Sequence, residues 1–147
     1  MGQQQPTHSV AAFCVASEAH DIDGMVATLA PDADLVSPFS DRLVFTGRDD
    51  LRVLLAATYG SLHALKWTDA LGDGAVRVAV SEGRIARIRF TDAMVFELDG
   101  DGQIRRLRPH IRPLLAAIAF AVVPGPKMAR NFGLVRRALS ADGSTRG

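Results

Sequence analysis

Apolar residues recur at helical spacing from the start of the chain. Val10, Phe13, Cys14 and Ser17 fall on one face, which predicts a first helix over about residues 7–20. Asp21 can cap a second, short helix with Ile22, Met25, Val26 and Leu29 on its apolar face and Pro31 as its stop. Residues 33–39 read as extended, with Pro38 marking an edge or strand end. A third helix opens after Thr46-Gly47, with Asp49 and Asp50 in its first turn, where carboxylates favour the helix dipole. Leu51, Leu54, Leu55, Thr58 and Leu62 form its buried stripe, and Gly60 weakens its last turn.

From Ala64 the rhythm changes to alternation, with Leu65, Trp67, Asp69 and Leu71 on one face. Gly72-Asp-Gly74 turns the chain into a second strand at 75–80. Residues 81–84 read as a turn, 85–98 as a long third strand, 99–102 as a hairpin turn and 103–111 as the last strand. Three helices followed by a meander predict an α+β fold. The expected form is a curved, mainly antiparallel sheet packed on three N-terminal helices.

Residues 113–147 read as a basic amphipathic C-terminal helical extension, packed on the domain or on a partner subunit. In it, residues 114–123 extend as helix or strand and Pro124-Gly-Pro126 breaks them. Met128, Phe132, Val135 and Leu139 then share one face, opposite Arg130 and Arg137.

Composition and charge alter this picture in two ways. The 147 residues suit one domain, burying roughly two thirds of the unfolded surface. Cys14, the one cysteine, rules out an intramolecular disulfide, and the opening residues lack a secretory pattern. The longest apolar run, residues 114–123, is half a membrane span, so a cytoplasmic protein is expected. The net charge of +1 conceals an asymmetry: residues 1–102 hold 8 Lys/Arg against 15 Asp/Glu, and residues 103–147 hold 9 against 1. The basic tail therefore fits docking on an acidic body, its own or a second subunit's, and next a membrane surface met through residues 113–139. Nucleic acid is not expected, because the aromatic and repeated-Lys pattern is missing.

Four local patterns carry a family resemblance. They are the run from His20-Asp-Ile-Asp-Gly-Met to Ala33-Asp-Leu35, Phe45-Thr-Gly-Arg-Asp-Asp-Leu51, Val95-Phe-Glu-Leu-Asp-Gly-Asp-Gly-Gln-Ile104, and the strand over 107–111. In this order and spacing the chain resembles the SnoaL-like group of the nuclear transport factor 2-like (cystatin-like) superfamily. That group includes ketosteroid isomerases, polyketide cyclases, limonene-type epoxide hydrolases and non-catalytic members. The resemblance implies a cone-shaped roll over residues 8–112, its curved sheet wrapped on the three N-terminal helices around an interior pocket, and fold alone does not select among these activities. The isomerases' catalytic Asp before a Pro is matched here by Ser37, and their oxyanion-donating Asp by Met94. In the hydrolase pattern Arg77 matches the Arg, but its partner falls at Ala79 and the last-strand Asp at Pro109.

Asp92 is the candidate catalytic residue. Alternation places it with Ile88, Phe90 and Met94 on the face that the resemblance makes the pocket face. A carboxyl among Phe90, Met94 and Trp67 would lose hydration and become a general acid or base near neutral pH. The plainer alternative is that Asp92 pairs with an Arg such as Arg77 or caps a bulge. The candidate ligand-binding residues are Phe13, Ser37, Phe39, Leu55, Tyr59, Trp67, Asp69, Phe90, Met94 and Leu107. His20, His63 and His110 lack metal-ligand spacing, and Asp99-Gly-Asp-Gly102 is too short for a calcium loop, so neither metal nor cofactor is expected. Two functions follow as expectations. One is a pocket protein for a small, largely apolar molecule, with isomerase, cyclase or hydrolase-type acid–base chemistry. The other is a non-catalytic homodimeric module that uses the outer sheet face and the basic tail.

Overall fold

The structure, a computed structural model, describes residues 5–140. Helices α1 (Gln5–Glu18) and α2 (Ile22–Ala27) meet at a tight corner, where His20 takes a left-handed conformation and the Asp21 side chain accepts the Gly24 N–H at 2.9 Å. Strand β1 (Leu29–Val36) follows, then β2 (Val44–Thr46) and α3 (Arg48–Tyr59), which Gly47 leads in with a φ of 92°. The meander is β3 (Leu62–Leu71), β4 (Val76–Ile85), β5 (Ile88–Leu98), β6 (Ile104–Arg108) and β7 (Ile111–Arg112). Helices α4 (Leu114–Val122), α5 (Gly125–Ala129) and α6 (Phe132–Ser140) end the described chain.

The curved sheet runs β2-β1-β6-β5-β4-β3, and β7 pairs with β5 where β6 has stopped. All pairings are antiparallel except β1 with β6. Along β5, Phe90, Asp92, Met94, Phe96 and Leu98 are buried while the residues between them are only partly so. This period of two on a concave sheet face is what creates an interior. Phe13, Met25, Leu51 and Leu55 fill it from the helices, and Ile85, Phe96, Ile104 and Leu107 from the sheet.

Several local expectations give way. Leu62 opens β3 instead of continuing the stripe of α3, and the strand expected over 103–111 is divided into β6 and β7. The second helix ends before Thr28, and Pro31 lies inside β1. A register shift between Leu29 and Asp34 lets Pro31 and Asp32 bulge outward, so the ladder loses nothing from a residue without an N–H. Residues 81–84 are strand, not turn. The β4–β5 hairpin turns at Ala86 and Arg87, with φ of 46° and 70°, between the paired residues Ile85 and Ile88. Two positive φ values match the twist of a two-residue hairpin loop, but neither residue is one whose chemistry announces it. In the tail, the break between α5 and α6 resets the helical phase. Leu134, Val135 and Ala138 turn inward and Leu139 is exposed; the Phe132 side chain lies outside what is described.

The extension folds back on its own chain. Arg137 grips Asp50, in the first turn of α3, with two hydrogen bonds of 3.0 and 2.6 Å, and α6 packs on β2. Arg106 on β6 holds Asp34 on β1 in the same bidentate way, at 2.7 and 2.8 Å, across the parallel pair.

Candidate functional site

Between the concave sheet face, α3 and the C-terminal helices lies a cavity of about 280 Å³. Its lining is mainly aliphatic and aromatic, and few polar side chains reach it. These are Ser37 at the end of β1, Thr58 and Tyr59 in the last turn of α3, Ser81 on β4 and Asp92 on β5.

Asp92 stands between Phe90 and Met94 on the buried face of β5 and directly opposite Ser81 on β4. Pro109 explains how its charge is partly met. The proline ends β6, and β7 resumes pairing at Ile111 opposite Asp92. In the gap the His110 N–H has no ladder carbonyl and donates to Asp92 Oδ1 at 2.8 Å. Burial pushes the Asp92 carboxyl up from its ordinary 3.8 to about 6, against the lowering effects of that N–H and the His110 charge. Among the described residues no Lys or Arg forms a salt bridge with it. Arg77, the partner suggested by the sequence, instead donates to the carbonyls of Gly72, Asp73 and Gly74 at 2.6, 3.1 and 2.9 Å, holding the β3–β4 turn. Asp92 is thus a buried carboxyl that no Lys or Arg neutralises among the described residues, able to exist in either protonation state near neutral pH.

Tyr59 adds a donor. Its phenol is raised well above its ordinary value by burial and then by the Asp92 charge, so it stays protonated. Among the described residues neither the Tyr59 nor the Ser81 hydroxyl hydrogen-bonds to protein, and both residues line the cavity. Ser37 Oγ, by contrast, accepts the Phe39 N–H at 3.2 Å and shapes the turn after β1.

Of the residues singled out from the sequence, Asp92, Ser37, Phe39, Leu55, Tyr59, Phe90 and Met94 line the cavity together. Phe13, Trp67, Asp69 and Leu107 do not. Phe13 is fully buried one layer behind, edge-on to Tyr59 at 6.1 Å and to Phe96 at 5.4 Å. Leu107 is sealed in the core as the register partner of Phe96. Register shifts between His63 and Lys66 and between Trp67 and Asp69 break the alternation of β3. Trp67 consequently joins α1 to the sheet, its indole N–H donating to Ser17 Oγ and its backbone N–H to Glu18 Oε1, both at 2.8 Å. Asp69 is exposed on a separate cleft beside α1, which Cys14 also borders. Burial, then the Glu18 charge, push the Cys14 thiol up to about 12, so it stays protonated there.

Sequence reasoning missed Ser81 because Ser-Glu-Gly reads as turn chemistry. Gly83 held the signal that this stretch is strand. A Cβ there would come within 2.9 Å of the Phe90 ring, so the glycine marks a close approach inside a sheet. Also missed was the wall supplied by the extension, where Phe120 from α4, Met128 from α5 and Val135 from α6 close the cavity. Phe120 meets Phe90 edge-on at 5.0 Å. Among the described residues no group of three His, Cys, Asp or Glu is placed to hold a metal ion.

A family model described as a SnoaL-like domain matches residues 10–107. No curated protein matches the chain. Solved structures do match in fold. An uncharacterized protein with a cystatin-like fold from Silicibacter pomeroyi DSS-3 superposes with a TM-score of 0.82 at 17% identity, covering 92% of this chain and 96% of that one. A steroid delta-isomerase from Pseudomonas aeruginosa gives 0.79 at 19% identity, covering 88% and 96%. An NTF-2 like protein of unknown function from Burkholderia xenovorans LB400 gives 0.67 at 17%, covering 80% and 94%. At these identities the likeness establishes the cone fold and leaves the chemistry to the residues.

Proposed function

We propose that this chain, which belongs to the SnoaL-like domain family, binds a small, largely apolar molecule in its cone and moves a proton on it with Asp92. The observation that carries the reading is a buried carboxyl in an apolar cavity with no Lys or Arg paired to it among the described residues, which burial pushes up to about 6. A general acid or base works best when its pKa lies near the working pH, and burial supplies that match here. The Tyr59 phenol is the donor for negative charge that develops on a guest oxygen, and Ser81 is a second hydroxyl beside the carboxyl. The cavity volume of about 280 Å³ is at the small end for ligand sites and favours a compact guest.

A steroid delta-isomerase is among the structures this chain resembles in fold, and the sequence resemblance sets Ser37 and Met94 at the two carboxyl positions of that enzyme class. Asp92 stands one pleat from Met94 on the same face, a displacement of roughly 6–7 Å along the strand. The proposed proton transfer therefore starts from a position that neither isomerase carboxyl occupies.

Solvent-deuterium exchange into a panel of small cyclic ketones, followed by NMR, tests the reading. The full chain should accelerate exchange with a midpoint near pH 6, and Asp92→Asn should lose about 10²–10⁴-fold. Exchange unchanged in Asp92→Asn removes Asp92 from the mechanism.

A second reading, a non-catalytic dimeric module, has its own support. On the outer sheet face Val78 pairs with Val95 and Val80 with Ala93, all only partly buried, an apolar strip that a second copy would cover. Sedimentation equilibrium of the wild type and Val80→Asp distinguishes it: a dimer lost in the variant supports this reading, and a monomeric wild type refutes it.

A further inference from the structure

Helix α4 forms one wall of the cavity and has a second, outward side. Ala116 and Ala119 are buried, and Phe120 meets Phe90. Leu114, Leu115, Ile118 and Val122 turn outward and are 76, 62, 51 and 65% exposed. No polar residue interrupts Leu114–Val122, so α4 offers water no hydrophilic face. Four large aliphatic side chains together make a patch on the order of a few hundred Å², near the upper limit of what monomers leave uncovered.

The segments that flank or contact α4 carry charge mainly of one sign. Arg112 precedes the helix, and Lys127 and Arg130 follow it, all exposed. The β4–β5 hairpin, on which Phe120 packs, adds the exposed Arg84, Arg87 and Arg89 near its tip, against the single carboxylate of Glu82. Residues 103–140 contain no Asp or Glu. Among the described residues none of these six cations joins a salt bridge.

We propose that α4 docks on an anionic membrane surface, its four outward aliphatic side chains entering the acyl boundary while the surrounding cations meet lipid phosphates. Among the described residues no helix is long and apolar enough to cross a membrane, and α4, roughly 13–14 Å long, suits lying in the interface plane. A second copy matches the patch less well. A two-fold contact through α4 would bring the cations flanking one helix, Arg112 and Lys127, towards those of the other, and α4 itself has no carboxylate to answer them. One face of a nine-residue helix also buries far less than the roughly 800 Å² per partner of a standard interface. Docked in this way, the helix that walls the cavity would rest against the phase in which an apolar guest dissolves.

Cosedimentation of the full chain with phosphatidylcholine vesicles, with and without phosphatidylglycerol, tests the proposal. Binding should rise by about tenfold or more with the anionic lipid and weaken as salt is added. The double variant Ile118→Asp/Val122→Asp, altered only at exposed positions, should lose it while keeping the wild-type circular dichroism spectrum. Arg112→Gln should lower affinity about fivefold. Asp92→Asn should bind vesicles like the wild type, which separates this proposal from the acid–base reading. Three results would overturn it: no preference for anionic vesicles, undiminished binding by the double Asp variant, or a wild-type dimer that this variant renders monomeric.

Discussion

Replacing Asp92 with Asn gives the most direct measure of what the carboxyl costs the fold. The native carboxyl holds its proton up to about pH 6, whereas an unfolded one releases it near 3.8. Between those values the native state binds more protons than the unfolded state, so this group's contribution to stability falls as pH rises. The penalty is absent below about pH 4 and complete above about pH 6. At 1.36 kcal/mol per pH unit it amounts to about 3 kcal/mol. An Asn side chain keeps an oxygen to accept the His110 N–H and carries no charge, so it relieves the penalty without orphaning that donor. Urea unfolding of both proteins from pH 4 to 8 should show similar stability at pH 4, with the Asp92→Asn variant gaining up to about 3 kcal/mol by pH 8. Taking the difference between the two proteins cancels the opposing slopes of the other carboxylates. A difference that stays flat across this range, or a variant weaker than the wild type at pH 8, would refute the claim that burial dominates at Asp92. A gain in stability joined to a loss of proton transfer would mark a carboxyl kept for function at the expense of the fold.

Tyr59→Phe should leave stability nearly unchanged, since its hydroxyl has no protein partner among the described residues, but should slow ketone exchange about 10²-fold, read by the same NMR assay. Gly83→Ala should destabilise by about 1–3 kcal/mol in urea unfolding, because its Cβ meets Phe90 at 2.9 Å and the strand behind it cannot retreat. Trp67→Phe should cost about 1 kcal/mol through the lost bond to Ser17, with exchange kinetics unaltered, as befits a residue outside the cavity. Arg106→Ala should cost about 1 kcal/mol, less at high salt, and Arg106→Lys should recover only part because it cannot reproduce the two-pronged grip on Asp34.

Much of the fold was legible because short-range patterns decide it. The three N-terminal helices follow from apolar spacing and from Asp21 and Gly47 at their starts, and β5 from strict alternation over Ile88–Leu98. That same alternation placed Phe90, Asp92 and Met94 on one face, so the central part of the site could be read before any contact was known. The errors arose where a turn lacked turn residues, as at Ala86-Arg87, or where a strand contained them, as at Ser81–Gly83 and Pro31. At Ser81–Gly83 and beside Ala86-Arg87 the pairing of β4 with β5 overrode local preference, while Pro31 is accommodated in a bulge outside the ladder.

Local pattern along the chain was therefore enough for the class of fold, the inward face of the long strand and the separation of an acidic body from a basic tail. Which inward residues meet a cavity was left to packing in three dimensions. Bulges in β3 carry Trp67 and Asp69 away from it, and Phe13 and Leu107 settle in a layer behind it. The break at Pro109 brings the His110 N–H to Asp92, and the helices after Pro113 close the chamber. These are contacts between residues distant in the chain, set by register and packing, and the proton affinity of Asp92 depends on them.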